Sequence, residues 1–378
     1  MTTTYRAYWR RSRWLQTILV GLLCTSANPS RAIAENANTP DRTASLSGAL
    51  IKAADATTVR LEELKSTGTN TVIFVVNRPE DESKSVIRTA TANATRANLD
   101  FGYWIEVARS PKLADEHPEW MASLQTHDEW RRFFPDAPTP QANEVTKTYP
   151  WVPILAEIPF KAQRERVLGL LADLPTPKLI FLNDLQGAPS ACGCGNPLCR
   201  WTSDYGKRRT TVPLGDEAAA KFIKEIQESA PQSEVIPVWT TECEEHDGHA
   251  DGLCAGVGCY RGICWKSYTR QLMPVAATSR RLGLLALYKE FKRDIDHYGQ
   301  AEASWVEFAV KTFETMPPQH RGTAIPAARI IAVVQGWDVS ADEIEAQRSS
   351  ATRAGANGYV VAYEKIEQGW SPQIVRWK

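Results

Sequence analysis

Short apolar runs alternate with amphipathic stretches along most of the chain, and this alternation restricts the fold to the α/β class with a largely parallel sheet. The runs expected as strands are Ala49–Ala53, Thr71–Val76, Leu99–Val107, Lys178–Leu182, Val235–Thr240, Leu282–Leu287, Arg329–Val334 and Gly358–Tyr363. Thr71–Val76 is a continuous β-branched and apolar run with polar flanks, as suits a parallel strand covered on both faces. Between the runs lie helical patterns at Thr57–Ser66, Ser83–Asn98, Phe160–Leu174, Asp216–Glu228, Trp305–Thr315 and Asp342–Ala354. In the first, Val59, Leu61 and Leu64 are the apolar positions and Gly68 closes the helix. In the fourth, Ala218, Phe222 and Ile226 recur on one face. Eight strands in this order predict a (β/α)8 TIM-type barrel. An open doubly wound sheet has the same local order, but the count reaches eight and no Gly-rich phosphate loop follows the first strand.

Two features interrupt the alternation. A long insertion follows strand three, from Arg109 to about Pro159. It holds an expected helix, Pro118–Phe134, and the Pro-rich stretch Pro135–Pro140. Cys-rich loops follow strands four and five.

The N-terminus reads as a secretory leader. Arg6, Arg10, Arg11 and Arg13 precede the short apolar stretch Leu15–Cys24, and Ala32-Ile33-Ala34 is a small-residue cleavage signal. The apolar stretch is shorter than the roughly 20 residues a membrane-spanning helix requires. The expected organisation is a signal peptide over residues 1–34, a flexible lead-in over 35–46 and the barrel over 47–378, with the protein periplasmic or secreted. Acylation at Cys24 is the alternative, although Leu22 and Leu23 stand where a lipoprotein signal has small residues. No later segment is apolar enough to span a membrane. Net charge is +0, from 44 basic and 44 acidic residues, which argues against a nucleic-acid partner.

In a barrel of this kind the site is built at the C-terminal ends of the strands. Those ends carry Glu106 after strand three, Asn183-Asp184 after strand four, Glu242 after strand five, and Tyr288 and Glu290 after strand six. Gln335, Trp337 and Asp338 follow strand seven, and Glu364 follows strand eight. Carboxylates ringed by Trp104, Trp239 and Trp337 suit glycoside chemistry, which needs one carboxyl as acid and a second as nucleophile or base. Indole faces pack on the C–H faces of a sugar, and they pack equally well in a core. The 13 tryptophans, of which only Trp9 and Trp14 lie in the leader, fit either use. The chain has no G-x-S-x-G elbow, no H-E-x-x-H and no P-loop.

Two stretches carry a resemblance. Leu61-Glu62-Glu63-Leu64-Lys65-Ser66-Thr67-Gly68-Thr69-Asn70-Thr71-Val72 resembles the helix-to-strand opening of glycoside-hydrolase-type barrels. Gly102-Tyr103-Trp104-Ile105-Glu106, followed by His117-Pro118-Glu119-Trp120, resembles the segment after strand three in secreted bacterial families of that type. The α-amylase-like clan carries Asp, Glu and Asp after strands four, five and seven. That likeness implies Asp184 as nucleophile, Glu242 as general acid/base and Asp338 as a substrate-orienting carboxylate. Leu182 stands where the clan has an arginine before its nucleophile. The remaining expected substrate contacts are Trp104, Glu106, Trp239, Gln335, Trp337 and Glu364.

Of 8 cysteines only Cys24 lies in the leader; the other seven fall between Cys192 and Cys264, an odd number. Cys192, Cys194 and Cys199 follow strand four. Cys243, Cys254, Cys259 and Cys264 belong to a second loop that also holds His246 and His249. Closely spaced thiolates suit a structural zinc, with Cys192, Cys194, Cys199 and Cys243 as the ligand set. β-Galactosidase-like barrels have a similar cluster, with a shorter last spacing. In an exported chain the same cysteines equally suit disulfides that staple surface loops. No cofactor is required for the reaction. Three functions remain open: a glycoside hydrolase acting on a poly- or oligosaccharide, a non-catalytic carbohydrate-binding or structural barrel, and a metal-dependent hydrolase using the Cys/His/acid loop.

Overall fold

The computed structural model describes residues 45–76, 83–121, 131, 134–154, 156–185, 215–241, 263–264, 272–292, 302–314, 325–366 and 371–376. Strands β1 (Leu46–Ile51), β2 (Thr71–Val75), β3 (Asp100–Glu106), β5 (Leu179–Asn183), β6 (Glu234–Thr240), β8 (Leu282–Ala286), β9 (Ile330–Gln335) and β10 (Gly358–Ala362) are parallel. Their order is β5-β3-β2-β1-β10-β9-β8-β6, and a β5–β6 pairing closes the ring. The chain therefore forms a (β/α)8 barrel. The closed ring excludes the open doubly wound sheet.

Helices α1 (Thr58–Ser66), α2 (Lys84–Arg96), α4 (Glu157–Asp173), α5 (Gly215–Ser229), α6 (Leu272–Thr278), α7 (Ser304–Glu314) and α8 (Ala341–Arg353) belong to the outer layer, and α3 (Pro111–Glu116) to the insertion. Thr57 caps α1 by accepting from the Arg60 amide, and Ser340 and Glu343 form a reciprocal capping box at α8. On α1, Leu61 and Leu64 are buried while Val59 is exposed. The helix of only nine residues turns a narrow stripe to the barrel, and Val59 lies outside it.

Register separates the two faces of the barrel wall. Residues paired across parallel strands point to the same side, and successive residues to opposite sides. Tyr359 receives the Arg348 side chain of α8, Tyr363 lies under the Arg60 guanidinium of α1, and Thr241 accepts from the Trp305 indole of α7. That set faces the helices. The alternate set, which includes Leu50, Ile73, Trp104, Phe181, Val238, Leu285, Val333 and Val360, fills the lumen. At the β1–β10 seam Gly358 has φ 149, and a Cβ there would lie 2.1 Å from the Leu46 carbonyl oxygen. Only glycine lets the two backbones approach so closely.

The insertion differs from expectation. Residues 111–116 are helical, 118–120 form one 3-10 turn, and Met121 is extended, so no continuous helix begins at Pro118. Pro118 has no N–H to carry on the preceding helix. The insertion also holds a strand that patterning did not reveal, β4 (Glu144–Tyr149), which pairs antiparallel with β11 (Ser371–Arg376). Ala114, Met121 and Val152 form a small separate core there, with Trp120, Tyr149 and Val375 packed on it. The buried Lys147 donates to the Met121 carbonyl at 2.8 Å and ties β4 to the 3-10 segment. The two-residue β7 (Ile263–Cys264) adds to β6. Among the described residues no helix is long and apolar enough to cross a membrane.

Candidate functional site

The C-terminal end of β3 is held with unusual care. Glu106 points into the lumen and is 1% exposed, and the Arg109 Nε lies 3.9 Å from its carboxylate. Two side chains of α4 fix the backbone that follows. Arg166 donates to the carbonyls of Glu106 and Val107 at 3.2 and 2.8 Å. Gln163, fully buried, donates to Ala108 at 3.3 Å and to Val152 at 2.9 Å, and its own oxygen accepts from Arg166. These bonds set the direction in which the Glu106 carboxylate emerges.

On the neighbouring strand Asn183 is the register partner of Glu106 and faces the same lumen. It is 2% exposed, and its Oδ1 accepts no hydrogen bond among the described residues. One layer below, Trp104 stacks on Phe181 with ring centroids 5.7 Å apart. The Trp104 Nε1, likewise buried, has no acceptor among the described residues. Asp184 follows at φ 51, a left-handed conformation that a short polar residue tolerates. Its backbone still extends the ladder, accepting from the Ala108 amide at 3.1 Å. Glu106 and Asp184 thus end adjacent strands, which lie about 4.8 Å apart in a sheet.

The other expected residues are placed differently. Glu364 pairs with Lys52 at 3.6 Å on the β10–β1 rim. The Gln335 amide is engaged within the protein: its oxygen accepts from the Lys289 and Glu290 amides, and its nitrogen donates to the Trp337 carbonyl. Trp337 is 9% exposed and packs with the core. Asp338 is exposed at φ 54, and its carbonyl accepts from Lys289 Nζ at 2.9 Å. Lys289 also meets Glu343 at 2.9 Å, and the Tyr288 hydroxyl donates to the same carboxylate at 2.5 Å. With the Ser340 amide, these donors hold the Glu343 carboxyl down at about 2. Burial and the Glu343 charge push the Tyr288 phenol up. Trp239 belongs to the helix-facing set and is fully buried, so the barrel wall separates it from any ligand in the lumen.

Glu242, Cys192, Cys194, Cys199 and Cys243 lie outside the described residues. Among the described residues no group of three or more His, Cys, Asp or Glu side chains comes close enough to hold a metal. By register the structure sets Glu106 and Trp104 on one lumen face, with Asp184 following the end of the neighbouring strand. To these it adds Asn183, which the sequence offered among the strand ends without a role, and Arg109, which sequence reasoning did not put forward. Asn183 was visible only as the polar end of an apolar run, and Arg109 only as a cation three residues beyond Glu106.

No protein-family model matches the chain, and no curated protein matches its sequence. Among solved structures it is similar to a D-psicose 3-epimerase in the presence of D-fructose (11% identity, 85% of this chain and 86% of that chain, TM-score 0.38). It is similar also to the D-psicose 3-epimerase of Clostridium cellulolyticum H10 with D-tagatose (9% identity, 85% and 86%, TM-score 0.40). A third similar structure is the GH20 exo-β-N-acetylglucosaminidase of Vibrio harveyi (9% identity, 78% of this chain and 41% of that one, TM-score 0.39). The barrel assignment rests on the strand pairing itself.

Proposed function

We propose that this barrel is an exported glycoside hydrolase that takes a sugar of a poly- or oligosaccharide into its mouth. The observation that carries the reading is the buried polar row over the lumen. The Asn183 Oδ1 needs a donor and the Trp104 Nε1 needs an acceptor, and Glu106 is the register partner of Asn183. Leaving a buried polar group unsatisfied costs about 1–3 kcal/mol. A hydroxyl both donates and accepts, so a sugar ring supplies what the row lacks. In this reading Asp184 acts as nucleophile and Glu242 as general acid/base. The cysteine loops brace the mouth through disulfides or a structural zinc, and the reaction itself needs no cofactor.

Hydrolysis of a panel of aryl glycosides and polysaccharides by the mature protein and by Asp184→Asn tests this. Turnover by the parent that falls at least about a thousandfold in the variant supports it. Sugar binding without turnover would favour a carbohydrate-binding barrel. Neither binding nor turnover on any substrate would overturn the reading.

A further inference from the structure

We propose that the cavity at the lip of the barrel, between the ends of β1 and β10 and the start of α1, is a second sugar subsite that holds a neutral ring of the oligosaccharide beyond the ring in the mouth; this rests on the glycoside reading above. The cavity has a volume of about 340 Å³, at the lower end of the roughly 300–1,000 Å³ usual for small-ligand sites. Lys52, the residue after β1, and Tyr363 and Glu364, just beyond β10, line it together with Asp55, Thr57 and Arg60 at the entry to α1. All of these follow C-terminal strand ends, so the cavity lies on the face of the barrel where its sites are built.

Three observations point to a sugar as the occupant. First, the charges balance, with Lys52 and Arg60 set against Asp55 and Glu364. A lining of one sign would draw an ion, whereas a balanced one places donors beside acceptors, the complement of neighbouring hydroxyls. Second, the Lys52–Glu364 pair is spaced at 3.6 Å, longer than the about 2.7–2.9 Å of a charge-assisted hydrogen bond. A loose pair with one partner 58% exposed contributes little to stability. A hydroxyl that accepts from Lys52 and donates to Glu364 exchanges it for two short bonds. Third, the Arg60 guanidinium is fixed before a ligand arrives. It lies 5.0 Å over the Tyr363 ring centre and donates from Nη1 to Glu63 at 3.2 Å. A guanidinium has five N–H donors, and one held in place loses less rotamer freedom on binding.

The test is calorimetry with neutral gluco-, xylo- and manno-oligosaccharides of one to six units and with oligogalacturonides of the same lengths. It uses the Asp184→Asn protein, which under the glycoside reading binds without cleaving. Affinity for a neutral series should rise with length. Adding Arg60→Ala or Glu364→Gln should lower the ratio of long-chain to short-chain affinity about tenfold. A merely structural role would weaken all lengths alike and leave the ratio in place. A second measurement needs no substitution at the cavity. Acetylation of Lys52, followed by peptide mass, should slow at least about threefold under saturating long oligosaccharide and not under the monosaccharide. Lys161 on α4, 71% exposed, is the internal control.

Three results would overturn the assignment. One is a ratio within twofold of the parent in both variants. Another is Lys52 acetylated as fast with the long oligosaccharide as without it. The third is tighter binding of oligogalacturonides than of every neutral series, which would make the cavity an anion site. If sugars bind and any of these is seen, the glycoside reading survives and this one fails. If no oligosaccharide binds, this one fails, and turnover on the aryl-glycoside panel decides the glycoside reading separately.

Discussion

Replacing Asn183 by leucine should stabilise the unliganded protein while weakening its grip on a sugar. The side chain is 2% exposed, and its oxygen accepts no hydrogen bond among the described residues, so native folding strands an acceptor. Removing a stranded acceptor recovers about 1–3 kcal/mol. Leucine has the same branching but more bulk, and against the close-packed lumen that crowding costs about 1 kcal/mol. The net expectation is a gain of about 1 kcal/mol. Urea unfolding of the two proteins, read at equal m-value, measures it. Calorimetry with a sugar that the parent binds should show Kd rising about tenfold or more, the equivalent of roughly 1.4 kcal/mol for a lost hydrogen-bonding partner. A variant that is less stable by more than about 1 kcal/mol would refute the reasoning, because it would mean that the amide is satisfied in the folded protein. Stability sacrificed where a ligand must bind is a recurrent trade.

Other outcomes follow from neighbouring features. The Glu343 carboxyl is held at about 2 in the fold against 4.5 ordinarily, so its stabilising effect is present above pH 4.5 and fades as pH falls toward 2. The melting-temperature difference between wild type and Glu343→Gln should therefore be largest near neutrality and close in acid; a constant difference would contradict the linkage. Gly358→Ala should cost about 3 kcal/mol or more in denaturant unfolding, since its methyl would meet the Leu46 carbonyl oxygen, and a loss below about 1 kcal/mol would show that the seam relaxes. Intact mass with and without reductant should resolve the cysteines. Three disulfides add about six mass units on reduction, zinc appears in elemental analysis, and free thiols without metal would reject both arrangements.

The barrel was legible because its wall is written in a local code. A parallel strand covered on both faces shows as an unbroken apolar run, and Thr71–Val75, Leu282–Ala286 and Gly358–Ala362 all do so. β1 begins at Leu46, inside the expected lead-in, because Ser47 and Gly48 lack the apolar character that marks the other strands. Gly48 is small for want of room: a Cβ would meet Val360 at 2.8 Å. β4 and β11 were invisible for a different reason. Their sequences, EVTKTY and SPQIVR, mix charge and apolarity, and each becomes a strand only by pairing with the other across the chain. At the site, the strand-end rule pointed to Glu106 and Asp184, and the first ends β3 while the second follows β5. It could not weigh the tryptophans. Whether an indole faces lumen or helix depends on register, and Trp104 and Trp239 fall on opposite sides of the wall.

The pairing of β4 with β11 has a bearing on how the protein is made. β4 is joined through Pro150 and Trp151 to the segment beside Arg109, yet its partner strand is synthesised only after the rest of the barrel. Contacts between distant parts of a chain close late. A nascent chain halted before residue 371 could complete all eight strands of the ring and still lack the brace on the insertion next to Glu106. Folding intermediates of that kind would be barrel-shaped, with the insertion left unbraced until the last step of folding, after the bulk of secondary structure has formed.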